Sequence, residues 1–504
     1  MTTITAVSPS VVTPGLYLSV DLTAGTASPN VGVLRVLVLA PKSASGDLTA
    51  NTEIRAVNSA DEAGTAFGIG TPGHLACVQI LDKYPAAQIE AAAPTAGTGT
   101  ATLSVTAANT PTADNVINCD IMGREFEVAW LSGESPTQIQ VKLTAAIVAR
   151  TSDLACTSVA GGAGVCIINS KVAGGVGKDI LVKMKLRGAG TGETLTGAVT
   201  HTALTVATTE PDFTTILAAA AGKEYHFIVP CVSNTDAANT ATSNNIDKVY
   251  GHINTYNSGL DAKLQTFLCG FTGSLASAIA STPHANSCND AKFGEFLLCI
   301  TGRSLPAEFA GRECGGWLAA LSLDPAANRI GEQLDGVYGS YNVLADRPTL
   351  AESESALSTG VALVTYNSGD AEVLARPVTT HSSTNRLRDC QNVHATYIVA
   401  RDLRDNLPLE FPNAKIQPDG EPGAEPPPPG VIEEKDIKAF CISRLRAWER
   451  QGVITKASLD AAIADGSLLV QVNGTDPTQV DIVLPFKIVQ PLAKMGLVVQ
   501  RQPS

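Results

Sequence analysis

Short apolar runs separated by turn residues dominate the hydrophobic pattern of this 504-residue chain. From Val31 to about Glu90 they form a strand (VGVLRVLVLA), a second strand (TEIRAV), a helix begun by Ser59 and a helix (LACVQILDKY). Strands that alternate with helices in this way predict an α/β layer. The alternation resumes at Asp212, so residues 30–93 and 210–345 are predicted to build one α/β domain.

The composition changes between these two stretches. Residues 94–209 are rich in Thr, Gly and Val, and they contain strand-like segments (NVINCDIM, EFEVAWL, GVCIINS and DILVKMKL) among glycine turns. One helix, TQIQVKLTAAIVART, is predicted among them. This pattern indicates an inserted, mostly β domain. The chain is therefore expected to be an α+β or α/β multidomain protein, with an extended arm and linker at 1–29 and a C-terminal domain at 346–504.

The last part of the chain follows a proline-rich run, residues 408–430, which is predicted to be an exposed loop or linker. From Val431 the pattern predicts a helix with one apolar face, formed by Ile437, Phe440, Cys441, Leu445 and Trp448. A second helix, KASLDAAIADG, has Ser458 as a candidate cap and ends at Gly466. The runs SLLVQVNG, VDIVLPFKIV and MGLVVQRQ that follow are strand-like, and each needs a sheet to join.

Charge and cysteine usage narrow the class of protein. The net charge of −13 argues against a duplex-binding protein, which needs a basic surface, so no nucleic acid partner is expected. The most apolar run, Val33 to Ala40, is far shorter than the roughly 20 residues that span a bilayer, and no membrane insertion is predicted. The N-terminal residues show no secretion signal. Eleven scattered cysteines without a C-x-x-C pair favour reduced, buried thiols.

The search for catalytic motifs predicts no enzyme, no cofactor and no metal site. GGVGKD, Gly174 to Asp179, resembles a phosphate-binding loop, but Val172 stands where that loop needs glycine and Asp179 where it needs Ser or Thr. A glycine-rich turn before the next strand is the simpler interpretation. The seven histidines form no HExxH motif, and no G-x-S-x-G elbow is present.

Basic residues are concentrated on the helix at 432–452, although the chain as a whole is acidic. They are interleaved with Glu433, Glu434 and Glu449, and they are Lys435, Lys438, Arg444, Arg446 and Arg450. Two interpretations remain open at this point. The cluster is either a solvated face stabilised by pairs such as Glu434 with Lys438, or an electrostatic contact with an acidic partner.

Four stretches in the same order along the chain carry a resemblance to a known family. They are TPGLYLSVD at 13–21, the segment from VLVLAPK to GTPGHLA, EVLARPVTTH, and RAWERQGVI followed by VDIVLPFKIVQPLAKMGLVVQ. Together they resemble the sheath proteins of contractile phage tails, in particular the Mu-like branch. The block at 94–209 is similar to the β-rich insertion of Mu-like members, which would make it an outer domain attached to the sheath core.

The resemblance implies a structural subunit of the virion tail, assembled in the host cytoplasm, that polymerises around a tail tube and contracts to deliver the genome. The implied partners are neighbouring sheath subunits, the tail tube protein, and baseplate and tail-terminator proteins. Linkers near Thr23–Pro29 and Asn473–Thr478 would keep neighbours attached. The resemblance also implies that Lys438, Arg446 and Arg450 contact the tail tube. The residues implied to pair strands between subunits are Leu16, Tyr17, Val20, Val480, Ile482, Leu484, Leu497, Val498 and Val499.

Two other functions are open on the sequence. The Thr- and Gly-rich block at 94–209 also suits the receptor-binding domain of a tail or surface adhesin. The glycine-rich loop at Gly174 leaves a cytosolic, nucleotide-dependent α/β enzyme as the less favoured alternative.

Overall fold

The computed structural model describes residues 33–187, 194–197, 200–205, 209–237, 244–257, 262–280, 294–380, 388–417 and 430–490. The chain divides into two compact units. The larger unit contains residues 33–319 and 333–384, and the smaller one contains residues 320–332 and the described residues from 388 onwards. The predicted mixed α+β, multidomain class is confirmed.

The larger unit is built on an eight-stranded sheet. Its inner strands run parallel, and the strand at each edge runs antiparallel to its neighbour. Because a parallel sheet is covered on both faces, its inner strands are rich in apolar residues and largely buried. The spatial order is β16 (Glu372–Arg376), β15 (Ala362–Tyr366), β14 (Gly294–Leu298), β13 (Thr266–Phe271), β12 (Phe227–Pro230), β1 (Arg35–Leu39), β3 (Gln88–Ala92) and β2 (Ile54–Val57).

Apolar clusters lie against both faces of this sheet. Leu297 and Leu298 are neighbours in β14 but belong to different clusters, because successive side chains of a strand point to opposite faces. Ser59 caps the first helix as predicted, with its Oγ accepting from the Glu62 backbone N–H at 3.2 Å. Besides α3 (Pro136–Ala149) of the inserted domain, the helices described in this unit are α1 (Ala60–Phe67), α2 (Pro72–Lys83), α4 (Thr214–Ala220), α5 (Asn234–Ala237), α6 (Asn245–Tyr256), α7 (Pro306–Leu323, of which residues 320–323 are assigned to the smaller unit), α8 (Val343–Asp346) and α9 (Leu350–Ser358).

Two antiparallel four-stranded sheets are formed by strands that all lie within residues 94–209. An apolar core that includes Trp130 and Leu143 joins the two sheets to α3 (Pro136–Ala149), whose first turn is closed by a capping box of Ser135 and Gln138. One sheet has the order β10 (Leu195–Thr196), β4 (Thr100–Ala107), β8 (Val165–Ala173) and β7 (Cys156–Ala160). The other has the order β11 (Thr202–Ala203), β9 (Leu181–Leu186), β5 (Asn115–Ile121) and β6 (Arg124–Trp130).

Buried ion pairs fasten this β-rich domain to the rest of the larger unit. Arg124 Nη1 donates to Glu308 Oε2 at 3.1 Å, and the Glu308 side chain is fully buried. Arg303 Nη1 donates to Asp120 Oδ2 at 3.0 Å. Removing one member of such a pair leaves an unpaired charge inside the protein, so each pair ties the β-rich domain to the rest of the unit. Its position on the outside of an assembled sheath remains a prediction.

The smaller unit is mainly helical. It contains α10 (Cys390–Glu410), α11 (Glu434–Arg450) and α12 (Lys456–Ala464), and two short sheets. β17 (Lys415–Gln417) pairs in parallel with β18 (Val431–Glu433), and β19 (Leu469–Val472) forms an antiparallel hairpin with β20 (Val480–Val483).

The structure differs from the sequence analysis at three boundaries. The predicted C-terminal domain begins at residue 346, but β15 and β16 continue the eight-stranded sheet through their pairing with β14, so this part belongs to the larger unit. The proline-rich stretch begins later than predicted, since Pro408 lies within α10. Residues 431–433 form a strand and not the first turn of a helix, because their backbone groups bond to β17.

Candidate assembly surface

The candidate assembly surface includes the pair of helices α10 and α11. Arg444 Nε donates to Asp402 Oδ2 at 3.0 Å, and Trp448 Nε1 donates to the same oxygen at 3.3 Å. Burial raises the pKa of Asp402, and the guanidinium of Arg444 opposes that effect. A carboxylate shared by a cation and an indole N–H holds α11 against α10.

The apolar face predicted for α11 is confirmed. Ile437, Cys441, Leu445 and Trp448 are buried, and the last three are fully enclosed. Phe440 lies at the margin of this face and meets Phe411 edge to face, with ring centroids 5.7 Å apart. With this face occupied, the polar side of α11 remains at the surface.

The hairpin β19–β20 is anchored to the start of α11. The Val472 backbone N–H donates to Glu434 Oε1 at 2.5 Å, so it points away from β20. Asn473 N–H donates across the hairpin to Gln479 C=O at 2.8 Å. Glu434 is therefore occupied by β19 and does not form the predicted pair with Lys438.

These two bonds fix which backbone groups of β20 point outwards. Residues opposite each other in an antiparallel ladder alternate between bonded and non-bonded pairs. Since Asn473 and Gln479 form a bonded pair, the pairs Val472–Val480 and Val470–Ile482 are the non-bonded ones. The N–H and C=O groups of Val480 and Ile482 thus face the outer edge of β20. No strand of the described residues pairs with that edge.

The segment after β20 returns along the smaller unit. Thr455 N–H donates to Lys487 C=O at 3.0 Å, and Val489 N–H donates to Val453 C=O at 2.9 Å. Ser458, predicted as the cap of α12, lies inside the helix instead, and its Oγ accepts from the Lys487 N–H at 3.0 Å. Gly466 has a positive φ of 74° just after α12, as the predicted terminator requires.

Asn473–Thr478 is a hydrogen-bonded hairpin loop between β19 and β20, and its role as a linker between subunits stays a prediction. Asn473 Oδ1 accepts from the N–H groups of Thr475 and Asp476, and Asp476 Oδ1 accepts from that of Thr478. The loop is ordered because short polar side chains bond to the backbone two or three residues further on.

The three basic residues predicted for tube contact have different surroundings. Arg446 forms ion pairs with Glu449 and Asp460, so its charge is balanced within the subunit. Lys438 is half-buried and Arg450 is exposed, and neither has an ion-pair partner among the described residues. These two keep an unbalanced positive charge at the surface.

Sheath tail proteins are similar to this chain. That of Desulfitobacterium hafniense is 12% identical, with a TM-score of 0.43, and the match covers 88% of this chain and 91% of that protein. The sheath tail protein of Listeria innocua is 13% identical, with a TM-score of 0.43 and coverage of 85% and 87%. A chain of the anti-feeding prophage baseplate is 11% identical, with a TM-score of 0.45 and coverage of 98% and 99%. No family model and no curated protein matches the sequence.

Several residues predicted for strand pairing lie outside the described residues. They are Leu16, Tyr17 and Val20 of the N-terminal arm, and Leu497, Val498 and Val499 near the C-terminus. The predicted linker at 23–29 also lies there. Leu484 is described, but it follows the end of β20 and belongs to no strand.

The glycine-rich segment at Gly174 is packed within the protein, with Gly175, Val176, Gly177 and Asp179 buried. Gly175–Asp179 form a turn of 3-10 helix before β9, in agreement with the simpler interpretation of GGVGKD. The carboxylate of Glu210 lies so close to Gly175 that a Cβ there would overlap it. A carboxylate in this place repels phosphate oxygens, which argues against the nucleotide-dependent alternative.

The described residues also bear on the predictions about thiols, metals and membranes. Ten of the cysteines lie there, all free and buried, in agreement with the expected buried thiols. In the same ranges, no group of three or more His, Cys, Asp or Glu side chains is arranged to hold a metal ion. None of the helices described combines the length and apolar character that a membrane span needs.

Proposed function

We propose that the protein is a structural subunit of a contractile tail sheath that polymerises around a tail tube. The observation that carries the proposal is the outer edge of β20, where the backbone groups of Val480 and Ile482 face outwards on a hairpin held rigidly by its own loop and by Glu434. The resemblance of the ordered sequence stretches to contractile sheaths supports the same conclusion.

An unpaired strand edge accepts a strand from another subunit through main-chain hydrogen bonds. The donating strand would be the N-terminal arm around Leu16, Tyr17 and Val20 or the terminal run around Leu497, Val498 and Val499. Donor and acceptor then use different surfaces of the same chain. A contact of this kind does not close on itself, and it propagates into rings or a helical tube.

Tube contact is assigned to the outer side of α11. Lys438 and Arg450 present unbalanced positive charge, whereas Arg446 is neutralised by Glu449 and Asp460. Lys438 and Arg450 would attract an acidic tube surface, and Arg446 would support them by tying α11 to α12. Baseplate and tail-terminator proteins would bind the two ends of the polymer, in a virion tail whose contraction drives the tube through the host envelope.

Negative-stain electron microscopy of the purified chain tests strand addition at β20. The wild-type chain is expected to form tubes or stacked rings. Ile482→Pro removes an N–H that points out of the hairpin, so it is expected to abolish polymers while circular dichroism and the unfolding midpoint stay close to wild type.

Ile482→Val is the matched control, because it keeps the N–H and the β-branched side chain, and it should polymerise normally. Tubes of unchanged length from Ile482→Pro would rule out pairing at this edge. Failure of the wild-type chain to polymerise, together with specific glycan binding by its 94–209 domain, would favour the adhesin instead.

A further inference from the structure

A cluster of buried carboxyl groups lies where the β-rich domain meets the central sheet. Asp179 ends the glycine-rich turn of the β-rich domain, Glu210 lies on the return segment, and Asp236 lies on α5. Asp179 and Asp236 are only 7% and 4% exposed. The three groups come from different segments of the chain, so their proximity is a property of the junction.

Hydrogen bonds from one short stretch, which includes Asp236 itself, reach the carboxyl groups of Asp179 and Glu210. Asn234 N–H donates to Asp179 Oδ2 at 2.9 Å, and Ser233 Oγ donates to Glu210 Oε1 at 2.8 Å. The Asp236 N–H in turn donates to Ser233 Oγ at 3.0 Å. The stretch 233–236 therefore holds the turn of the β-rich domain and the return segment at once.

Among the described residues, no Lys or Arg side chain forms an ion pair with the carboxyl groups of this cluster. Glu210 Oε2 is buried without a hydrogen-bond partner. Asp236 Oδ2 accepts from Asn245 Nδ2 at 2.9 Å, which is a neutral donor. Lys248 donates instead to Asp212 Oδ1 at 2.9 Å. A second negative charge in a buried space is costly, so burial raises the pKa values of Asp179 and Asp236 above the ordinary value.

Lys178 and Lys248 lie near enough to lower the pKa values of Asp179 and Asp236 in part, but neither forms an ion pair with them among the described residues. Strand β4 carries no ionisable group. The other elements packed against the cluster carry these ionisable groups: Lys178 on the turn itself, Lys171 on β8, Asp212 on the return segment, Asp247, Lys248 and His252 on α6, and Cys269 on β13.

We propose that Asp179, Glu210 and Asp236 form a proton-dependent latch that holds the glycine-rich turn of the β-rich domain against the central domain. Gly175 is glycine because Glu210 occupies the position of its missing Cβ. With a proton in the cluster, the three carboxyl groups lie close together with less repulsion between like charges. Loss of that proton places like charges side by side, and the turn separates from 233–236.

The direction of the pH effect follows from the two aspartates. Burial raises the pKa of Asp179 to about 8 and that of Asp236 to about 6, from 3.8 for the ordinary side chain. Raised acid pKa values mean that the folded state binds more protons than the unfolded state between these limits. The latch therefore contributes most to the stability of the folded state below about pH 4, and this contribution falls as the pH rises towards 8.

Hydrogen exchange of the Asn234 amide, which donates to Asp179, measures the latch directly. After correction for the intrinsic exchange rate, its protection in the full-length wild-type chain is expected to fall by about tenfold or more between pH 6 and pH 9. Asp179→Asn keeps an acceptor for the Asn234 N–H and removes the charge. In this variant the protection of the Asn234 amide should stay nearly constant between pH 6 and pH 9.

Asp335→Asn is the control, because it removes an exposed carboxylate of the same unit and should reproduce the wild-type fall. Glu210→Gln provides a second route if Asp179→Asn does not fold, and it should likewise flatten the profile. Parallel profiles for wild type and both variants would overturn the proposal. So would the failure of both variants to fold at any pH, since the cluster would then serve folding alone.

Discussion

The central sheet and the C-terminal hairpin are both made of short apolar strands, yet they use their backbone edges differently. In the central sheet, β13 has a strand on each side and is buried at every residue. In the hairpin, β20 has one neighbour and only Asp481 of its residues is buried. The first arrangement pairs both edges of the strand within the subunit, whereas the second leaves backbone N–H and C=O groups free to pair with a neighbouring subunit. Strand composition alone does not distinguish the two roles.

The largest expected effect is on the interior of the central sheet. Phe267→Ala removes a side chain that is 1% exposed and belongs to the apolar cluster on one face of the sheet. The resulting cavity should lower the free energy of unfolding by about 3–5 kcal/mol, measured by urea denaturation. A loss below about 1 kcal/mol would mean that the sheet repacks around the cavity, and the contrast with the hairpin would weaken.

A smaller loss is expected where α11 is held against α10. Asp402→Ala removes the acceptor of Arg444 and Trp448 and should cost about 2–3 kcal/mol, below the value for a fully buried pair because Arg444 is 24% exposed. Asp405→Ala is the control three residues further on. It removes an exposed carboxylate paired with Arg404, and its unfolding midpoint should match that of wild type.

The hairpin loop should respond less strongly. Asn473→Ala removes an amide that accepts from Thr475 and Asp476 and donates to Asp481 at 2.9 Å. The expected cost is about 1 kcal/mol of stability, together with shorter polymers, because the edge of β20 becomes less ordered. Light scattering measures polymer length. Normal polymers from this variant would show that the loop does not prepare the edge for assembly.

The smallest effect on stability is expected on the outer side of α11. Lys438→Glu and Arg450→Glu change residues without an ion-pair partner among those described, so each should alter stability by less than about 0.5 kcal/mol. Each should nevertheless weaken co-sedimentation with tail-tube polymers, most strongly at low salt. Lys185→Glu makes the same charge change at an exposed position of β9, and it should leave co-sedimentation unchanged. Equal binding by all three variants would contradict the tube contact.

Local patterns predicted most of the elements because short-range physics determines them. The cap at Ser59, the terminator at Gly466 and the buried face of α11 depend on residues within a few turns of one another. The alternation of strands and helices similarly indicated an α/β layer. Errors arose where a local signal competed with distant backbone groups, as at 431–433, which join β17 instead of starting α11.

The candidate site was less predictable for the same reason. Val480 and Ile482 were named from the sequence, but which of their edges is open depends on the pairing with β19 and on the bond from Val472 to Glu434. Arg446 looked equivalent to Arg450 along the helix. Its pairing with Asp460, on another helix, is what sets it apart.

The sequence by itself determined the apolar face of α11, many of the strand segments and the glycine-rich turn at 175–179, since periodicity and turn chemistry act between near neighbours. Only the tertiary structure decided which strand pairs with which, which charges are neutralised and which carboxyl groups are buried together. Those outcomes require distant segments to meet. The free energy of a strand edge depends on whether another strand pairs with it, and that of a buried charge depends on the groups packed around it.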